Sequence, residues 1–282
     1  MIEALAKEYP VAALCQELGV ARSGYYAWRR GRQAARPRAN QQLAQQIEQV
    51  YRAKGGNYGS PRITQELRRQ GVCCNHKRVE RLMRQAGLKG RTCRRRQVRT
   101  TQSDHDQPIA PNRLLDRQPP SKVDEVWVSD ITYVPTAQGW LFLAGVMDLY
   151  SRRIVGWSLR ENLEAQGALQ ALQRALEQRD HPRGVIHHSD RGIQYACREY
   201  RQELSRSGLV ASMSRKGNCY DNAAMEAFWS SLKREALEGS ADWSPERVRR
   251  EIFAYIEGFY NQSRLHSALG YQSPVEFEHQ NQ

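Results

Sequence analysis

The sequence predicts an α/β protein in which a mixed sheet flanked by helices follows an all-α region. Two observations predict this class. The first 120 residues show only short helical patterns, whereas from residue 123 onward β-branched and aromatic segments alternate with helical ones. The chain has 282 residues and is 40% hydrophobic. That length suits about two domains, and that apolar share excludes disorder for most of the chain.

The positive charge is confined to the first part of the chain. Residues 1–120 contain 24 Lys and Arg against 9 Asp and Glu, whereas residues 121–282 contain 19 against 21. This excess predicts that the first part contacts a polyanion, most simply nucleic acid. A basic face that only aids solubility would give the same excess.

Two further patterns bear on the cellular compartment. No apolar run is long enough to span a membrane and no leader pattern opens the sequence, so we expect neither a membrane nor a secreted protein. The six cysteines do not have zinc-ligand spacing, which predicts reduced thiols and no structural zinc. We therefore expect a cytoplasmic protein.

Five helices are predicted in the first part: residues 10–18, 23–28, 40–52, 60–70 and 75–86. Ser60 and Pro61 are suited to the N-cap and the first position of the fourth helix, and Asn75 is suited to cap the fifth. The last two helices have the proportions of a helix-turn-helix. Residues 23–30 can complete an earlier, similar unit, although their aromatic side chains are also suited to a core.

The fifth helix separates apolar from basic side chains. Its apolar stripe consists of Val79, Leu82, Met83 and Ala86. Its basic residues are Lys77, Arg81 and Arg84 on another face, with Arg78 between the two. The pattern suits a helix packed on one side and laid against DNA on the other, although a solvated helix can show it too. Residues 91–121 then form a basic linker with Arg94, Arg95 and Arg96, which either follows phosphates or is a solvated tether.

Five strands and four helices are predicted in the second part. The strands are residues 126–134, 141–149, 153–159, 184–188 and 209–213. The helices are residues 164–179, 194–207, 222–237 and 245–260. Three consecutive strands followed by alternating helices and strands are typical of a sheet covered by helices.

Three acidic residues of the second part stand apart from ordinary surface charge. Asp130 interrupts an apolar strand and shares a face with that strand's valines, where a lone carboxylate is costly unless it is paired or binds a cation. Asp190 follows a strand, at the end where open α/β sheets bind ligands. Glu226 lies in a helix, with 35 residues between it and Asp190. Singly, each also suits an edge-strand, turn or solvated helix position.

Residues on a strand, at a strand end and on a helix can converge on one edge of a sheet. Three convergent carboxylates can bind two hard divalent ions, usually Mg²⁺ or Mn²⁺. Two such ions stabilise the attacking and leaving oxygens of an in-line phosphoryl displacement. Together with the basic first part, these residues predict cutting or joining of nucleic acid.

Four motifs resemble those of the DDE superfamily of transposases and retroviral integrases. They are residues 127–133 around Asp130, residues 188–195 around Asp190, residues 217–226 with Lys233, and residues 260–274. The 35-residue interval also resembles that of the family. The chain is most similar to second-reading-frame (OrfB) transposases of the IS-three group of bacterial insertion sequences, over essentially its whole length.

This resemblance implies an RNase-H-like, integrase-type catalytic core, and the order of elements predicted above agrees with it. It implies that Asp130, Asp190 and Glu226 hold two Mg²⁺ ions, with Mn²⁺ as a substitute. One ion would activate water or a DNA 3′-hydroxyl and the other would stabilise the leaving 3′-oxygen. The family nicks element ends and uses the freed 3′-hydroxyl directly as nucleophile, without a covalent enzyme–DNA intermediate.

Other residues receive supporting roles. The resemblance implies that Lys233 contacts a terminal phosphate. His188 is either a supporting residue of the site or a strand-end histidine, and Asn222 either orients Glu226, binds DNA or caps its helix. Arg264 and His266 either contact DNA or pack the C-terminal element.

The resemblance also implies the partners. One is double-stranded DNA, both transposon ends and target. Another is further copies of the chain, in a homodimer or higher oligomer. The resemblance also allows an upstream-frame fusion partner. We expect residues 1–90 to bind DNA, 91–121 to be the linker, 122–240 the catalytic core and 241–282 a C-terminal helical element. The expected location is the bacterial cytoplasm, in association with the nucleoid.

Two alternatives stay open. One is an RNase-H-like nuclease that cuts without transposing. The other is a catalytically silent repressor that binds DNA through the helix-turn-helix.

Overall fold

The computed structural model describes residues 1–29, 32–91, 106–115, 117–215 and 222–281, and only the backbone of residues 32–37. The chain divides into two compact units, Met1–Arg91 and Thr92–Gln282. Within these described ranges, no helix has the length and apolar character needed to cross a membrane.

The first unit is helical, as predicted. Its helices are α1 (Ile2–Leu5), α2 (Val11–Glu17), α3 (Arg22–Arg29), α4 (Arg32–Ala53), α5 (Ser60–Arg69) and α6 (His76–Gln85). Helix α1 was not predicted, and α4 begins at Arg32 rather than near residue 40.

Helices α5 and α6 form the predicted pair, and both pack against α4. Asn75 caps α6 as predicted, since its side chain accepts a hydrogen bond from the Lys77 N–H at 2.9 Å. The cap predicted for α5 is wrong by one residue, because Gly59 is the N-cap and Ser60 is the first helical residue. The Ser60 hydroxyl instead lies 3.0 Å from Nε2 of His76, which links the starts of the two helices.

The apolar stripe predicted on α6 lies in the core of this unit. Val79, Leu82 and Met83 are buried. The other buried apolar residues of α4 and α5 include Leu43, Ile47, Val50, Ile63 and Leu67. Ala86, predicted to belong to the stripe, is the exposed C-cap residue of α6. The apolar side of α6 therefore consists of three buried residues rather than four.

The second unit contains a five-stranded mixed sheet. Its strands are β1 (Val126–Thr136), β2 (Gly139–Asp148), β3 (Ile154–Arg160), β4 (Ile186–Ser189) and β5 (Val210–Met213), in the order β3-β2-β1-β4-β5. Strands β1, β2 and β3 form an antiparallel meander, whereas β4 pairs parallel with β1 and β5 parallel with β4. The five predicted strands are thus confirmed.

The helices of this unit are α7 (Ala165–Gln178), α8 (Ile193–Ala196), α9 (Arg198–Arg206), α10 (Ala223–Glu235), α11 (Pro245–Phe253) and α12 (Pro274–Gln280). The helix predicted over residues 194–207 is split, because Cys197 has an extended conformation between α8 and α9. The helix predicted over residues 245–260 is an α-helix only to Phe253 and continues as a π-helix over Ala254–Tyr260.

Two apolar cores cover the two faces of the sheet. On one face, Val126 and Val128 of β1 pack in a cluster with Phe228 and Trp229 of α10 and with residues of α11. On the other, Trp127 of β1 packs with residues of α7, α8 and α9. This gives three layers, as expected for a sheet covered by helices.

A buried ion pair fixes the segment after α11 onto α10. Arg264, which is 3% exposed, donates hydrogen bonds to both carboxylate oxygens of Glu235 at 2.8 and 2.6 Å. The Tyr255 hydroxyl donates to the same carboxylate at 2.8 Å. Of the two roles considered for Arg264, its guanidinium therefore has the packing role.

Candidate active site

Asp130 lies on the face of β1 that packs against α10. The valines two and four positions before it, Val128 and Val126, belong to the core cluster that contains Trp229. The indole Nε1–H of Trp229 donates a hydrogen bond to Oδ2 of Asp130 at 3.0 Å. The predicted face of Asp130 is thus confirmed, and the residue as a whole is half-buried beside a helix rather than exposed at a sheet edge.

Asp190 lies at the matching position of the neighbouring parallel strand. Val126 is opposite Ile186 and Val128 is opposite His188, so the last pair of this register lies two residues before Asp130 on β1 and two residues before Asp190, which directly follows β4. The charge of Asp190 acts on Asp130 and raises its pKa, so the two carboxyl groups lie within electrostatic reach of each other. The parallel pairing of β4 with β1 therefore brings the residue that follows β4 into the electrostatic surroundings of Asp130.

The Asp190 carboxylate is held by the turn that follows it. The Gly192 N–H donates a hydrogen bond to Oδ1 of Asp190 at 2.9 Å. A Cβ on residue 192 would lie only 3.0 Å from the same oxygen. Backbone conformation does not require glycine here, because the φ of −62° is open to any residue. The absence of a side chain at Gly192 instead allows the Asp190 carboxylate to approach the backbone of this turn closely.

Glu226 lies in the first turn of α10, exposed to solvent. The start of this helix is tied to the strand of Asp130, because the Asn222 side-chain N–H donates to the Ser129 carbonyl oxygen at 3.1 Å. Asn222 occupies the N-cap position, yet in the described part of α10 its side chain makes no capping hydrogen bond. Its side chain therefore positions the helix that carries Glu226.

The charges of Asp190 and Glu226 act on the Asp130 carboxyl group. Burial and, after it, the negative charge of Asp190 raise the pKa of Asp130 to about 8, and Glu226 adds a smaller increase. Glu226 is an exposed residue, but partial burial of its carboxyl group raises the pKa of that group. A bound cation would offset both the repulsion and the burial of these carboxylates.

The carboxylates meet the chemical requirement for a magnesium site, though not as a compact cluster. Mg²⁺ prefers oxygen ligands, and carboxylates supply them together with negative charge. Among the residues that the structure describes, however, no three His, Cys, Asp or Glu side chains form a group that could hold a metal ion. Joint binding by Asp130, Asp190 and Glu226 stays a prediction.

Lys233 lies two turns after Glu226 on α10 and is exposed. Partial burial lowers the pKa of its ammonium group, and the negative charge of Asp130 raises it by a smaller amount. The Lys233 ammonium group therefore lies within electrostatic reach of Asp130, and its contact with a phosphate stays a prediction.

Two adjacent histidines of β4 face opposite sides of the sheet. His188 is buried on the side of Asp130, and its Nδ1 lies 2.8 Å from the Ser212 hydroxyl of β5. His187 is buried on the other side, between the hydroxyls of Ser129 at 2.9 Å and Tyr200 at 3.1 Å. Burial lowers the pKa of His187 to about 3. The predicted supporting role of His188 is untested.

The basic residues predicted to bind DNA have different surroundings. Lys77, Arg81 and Arg84 are exposed on α6, and Arg84 pairs with Glu80 at 3.2 Å. Arg78 is half-buried, and its Nε–H donates to Oδ1 of Asn40 on α4 at 2.9 Å. Arg94, Arg95 and Arg96 lie outside the described residues.

Sequence reasoning missed two residues beside Asp130. Trp229 was not singled out, although it lies one turn after Glu226 on the same helix. Gly145 of β2 lies directly opposite Asp130, and a Cβ there would lie 2.8 Å from Cη2 of Trp229. An isolated glycine inside a strand indicates a close approach, so this signal was present in the sequence.

Comparison with known families defines the class of protein. Residues 120–219 and residues 207–274 each match an integrase core domain, and residues 38–97 match a helix-turn-helix-like domain. The molecule thus combines an RNase-H-like integrase core with a helix-turn-helix-like region, which confirms the predicted fold class.

Two relatives identify the family. The transposase InsF of insertion sequence IS3A from Escherichia coli strain K12 is 42% identical over 282 residues, which cover 99% of this chain and 98% of the relative. A 31 kDa protein of insertion element IS600 from Shigella sonnei is 41% identical over 264 residues, 94% and 97% of the two chains. The chain belongs to the IS3 family of transposases, as its motifs predicted.

A solved structure was also found. The catalytic core domain of HTLV-2 integrase in complex with magnesium is similar with a TM-score of 0.44 and 12% identity, over 56% of this chain and 99% of that chain.

Proposed function

We propose that this transposase binds insertion-sequence ends, nicks them by Mg²⁺-dependent hydrolysis and joins the freed 3′-hydroxyl to DNA by direct transesterification. The observation that supports the proposal is the parallel pairing of β1 and β4 up to Val128 and His188, two residues before Asp130 and Asp190, together with the effect of the Asp190 charge on the pKa of Asp130. Glu226 enters the same electrostatic neighbourhood from α10.

In this proposal Asp130, Asp190 and Glu226 are the catalytic residues and the ligands of two Mg²⁺ ions, with Mn²⁺ as a substitute. Such ions supply Lewis-acid stabilisation of the attacking and leaving oxygens in phosphoryl transfer. The side chains of Asn222 and Trp229 hold α10 against β1. Lys233 binds a phosphate next to the scissile bond, and His188 supports the strand that leads to Asp190.

The helical unit supplies the affinity for double-stranded DNA. Lys77, Arg81 and Arg84 contact the duplex from the exposed side of α6, while Arg78 orients the helix through Asn40. Residues 91–121, with Arg94, Arg95 and Arg96, follow the phosphate backbone between residues 1–90 and the core. Residues 122–240 do the chemistry and residues 241–282 buttress α10.

Cutting two element ends together requires at least two active sites. We therefore propose a homodimer or higher oligomer on paired ends and target DNA, in the bacterial cytoplasm at the nucleoid. An upstream-frame fusion can add further DNA contacts.

Substitution of the three carboxylates tests this function. Asp130→Asn, Asp190→Asn and Glu226→Gln should each abolish nicking and joining of labelled element ends in Mg²⁺, because each removes a negatively charged ligand. Each should retain most of its DNA affinity in a gel-shift assay, because the α6 residues are untouched. An Asp242→Asn variant, at an exposed position in the 3₁₀ turn after α10, is the matched control and should react like the unchanged protein.

The same assay separates the alternatives. Hydrolysed ends without any joined product would indicate a nuclease that does not transpose. Full activity in all three carboxylate variants would refute the catalytic assignment and favour a DNA-binding repressor.

A further inference from the structure

The indole of Trp229 lies in a slot between β2 and Asp130. Trp229 is 5% exposed and belongs to the core cluster, so its ring is packed as a core side chain. Its Nε1–H nevertheless points to the carboxylate, with a donor–acceptor distance of 3.0 Å to Oδ2 of Asp130. One side chain thus joins the core of the unit to the site.

Gly145 makes this position of the indole possible. It is the residue of β2 directly opposite Asp130, in the antiparallel register of β1 and β2. A Cβ at this position would lie 2.8 Å from Cη2 of Trp229 and 3.1 Å from Cε of Met225. Because such distances are too short for packed carbon atoms, any larger residue at 145 would displace the far end of the indole ring.

We propose that Trp229 is a positioning residue for Asp130: its indole N–H fixes one carboxylate oxygen, and Gly145 provides the space that sets the height of the ring over β2. The inference rests on the proposed function, because it treats Asp130 as a ligand of a divalent cation. Partners that orient a ligating carboxylate commonly determine metal affinity by about one to two powers of ten.

Trp157 offers a comparison within the same sheet face. It also donates its indole N–H to a carboxylate, Oε1 of Glu257, at 2.8 Å. It lies opposite Gly145 on β3, so it is one strand further from Asp130 than Gly145 itself. Glu257 belongs to the π-helix and is no part of the proposed site, which makes Trp157→Phe the matched control.

The test compares Trp229→Phe with Trp157→Phe in the full chain. Both changes keep an aromatic ring and remove one indole–carboxylate hydrogen bond. Mn²⁺ binding is measured by isothermal titration calorimetry without DNA, and the Mg²⁺ concentration that gives half-maximal nicking is measured separately. We expect Trp229→Phe to weaken Mn²⁺ binding and raise the Mg²⁺ midpoint about tenfold, with DNA affinity unchanged. Trp157→Phe should leave both quantities within about twofold of the unchanged protein.

Gly145→Ala supplies an independent variant that keeps the indole N–H. It should raise the Mg²⁺ midpoint as well, because the added methyl group pushes the ring away from its position. In the Trp229→Phe background the same change should have little further effect on the midpoint or the melting temperature, since phenylalanine does not reach as far as Cη2. Non-additivity of this kind is the sign that two residues share one contact.

The outcomes separate this inference from the function on which it rests. If Asp130→Asn leaves Mn²⁺ binding intact, the metal-dependent function itself is wrong. If Asp130→Asn abolishes Mn²⁺ binding while Trp229→Phe and Gly145→Ala leave it unchanged, the positioning role is overturned and the function stands. Equal effects of Trp229→Phe and Trp157→Phe would also overturn it, because they would reflect general loosening of the core.

Discussion

Single side chains decide how the candidate site is held together. Asn222 donates to the Ser129 carbonyl, so the start of α10 is anchored one residue before Asp130. Trp229 donates to Asp130 itself, two turns later. One helix carries both anchors, with Glu226 between them. A change at either anchor should therefore alter the position of Glu226 relative to Asp130.

At the residue scale, His187 should make the stability of the protein depend on pH. Its pKa is lowered from 6.5 to about 3 by burial, so between these values the unfolded chain binds a proton that the folded chain excludes. The contribution is fully present above pH 6.5 and is lost as the pH falls toward 3. Between pH 7 and pH 5 we expect a loss of about 2 kcal/mol in the free energy of unfolding.

Urea unfolding at several pH values checks this expectation against a His187→Gln variant. The glutamine does not titrate, so its free energy of unfolding should fall less steeply between pH 7 and pH 5. Other acidic groups contribute equally to the pH dependence of both proteins. Equal slopes of the free energy of unfolding against pH would contradict the assignment of this dependence to His187.

At the scale of elements, α6 is expected to carry two kinds of basic residue: exposed ones that contact DNA, and Arg78, which forms a hydrogen bond to α4. Arg81→Ala should weaken DNA binding and reduce the slope of log affinity against log salt by about one unit, since one phosphate contact is lost. Arg78→Ala should instead lower the melting temperature, because it removes the hydrogen bond to Asn40. Fluorescence anisotropy at several salt concentrations and a thermal melt distinguish the two, and an unchanged salt slope for Arg81→Ala would exclude its phosphate contact.

The ion pair between α10 and the C-terminal segment gives a stability prediction. Arg264→Ala should lower the free energy of unfolding by about 3–5 kcal/mol, because it leaves a buried carboxylate without its cation. Arg52→Ala, which breaks an exposed pair with Glu48, should cost no more than about 0.5 kcal/mol. Chemical unfolding of both variants measures the difference, and similar small losses would show that Glu235 is satisfied without Arg264.

The elements also show how far sequence reasoning reaches. Periodicity predicted all five strands, and the face of Asp130 followed from alternation along β1. Periodicity failed where tertiary contacts decide the local helix geometry. The examples are the break at Cys197 between α8 and α9 and the π-helix over Ala254–Tyr260. The role of Trp229 could not be predicted, because a tryptophan at helical spacing signals only burial. Its hydrogen bond to Asp130 joins two residues that are 99 positions apart, so only the tertiary fold brings them together.

At the scale of the whole molecule, each compact unit has its own core. The buried residues of α4, α5 and α6 belong to Met1–Arg91, and both clusters around the sheet belong to the other unit. A fragment of residues 1–91 should therefore unfold cooperatively by circular dichroism and bind duplex DNA with a strong salt dependence. A fragment of residues 92–282 should lack most of this affinity. A fragment 1–91 without a cooperative transition would show that its core is too small to fold alone.

The pairing of β4 with β1 also governs when the site forms during folding. The two strands are 60 positions apart in register, so their contact closes a long loop and is expected to be slow compared with the β1–β2 hairpin. A slip of one residue would turn Asp190 to the opposite side of the sheet. Under the proposed function, chains with this slip would be compact but inactive, so the time course of activity regained on refolding would report the pairing of β4 with β1.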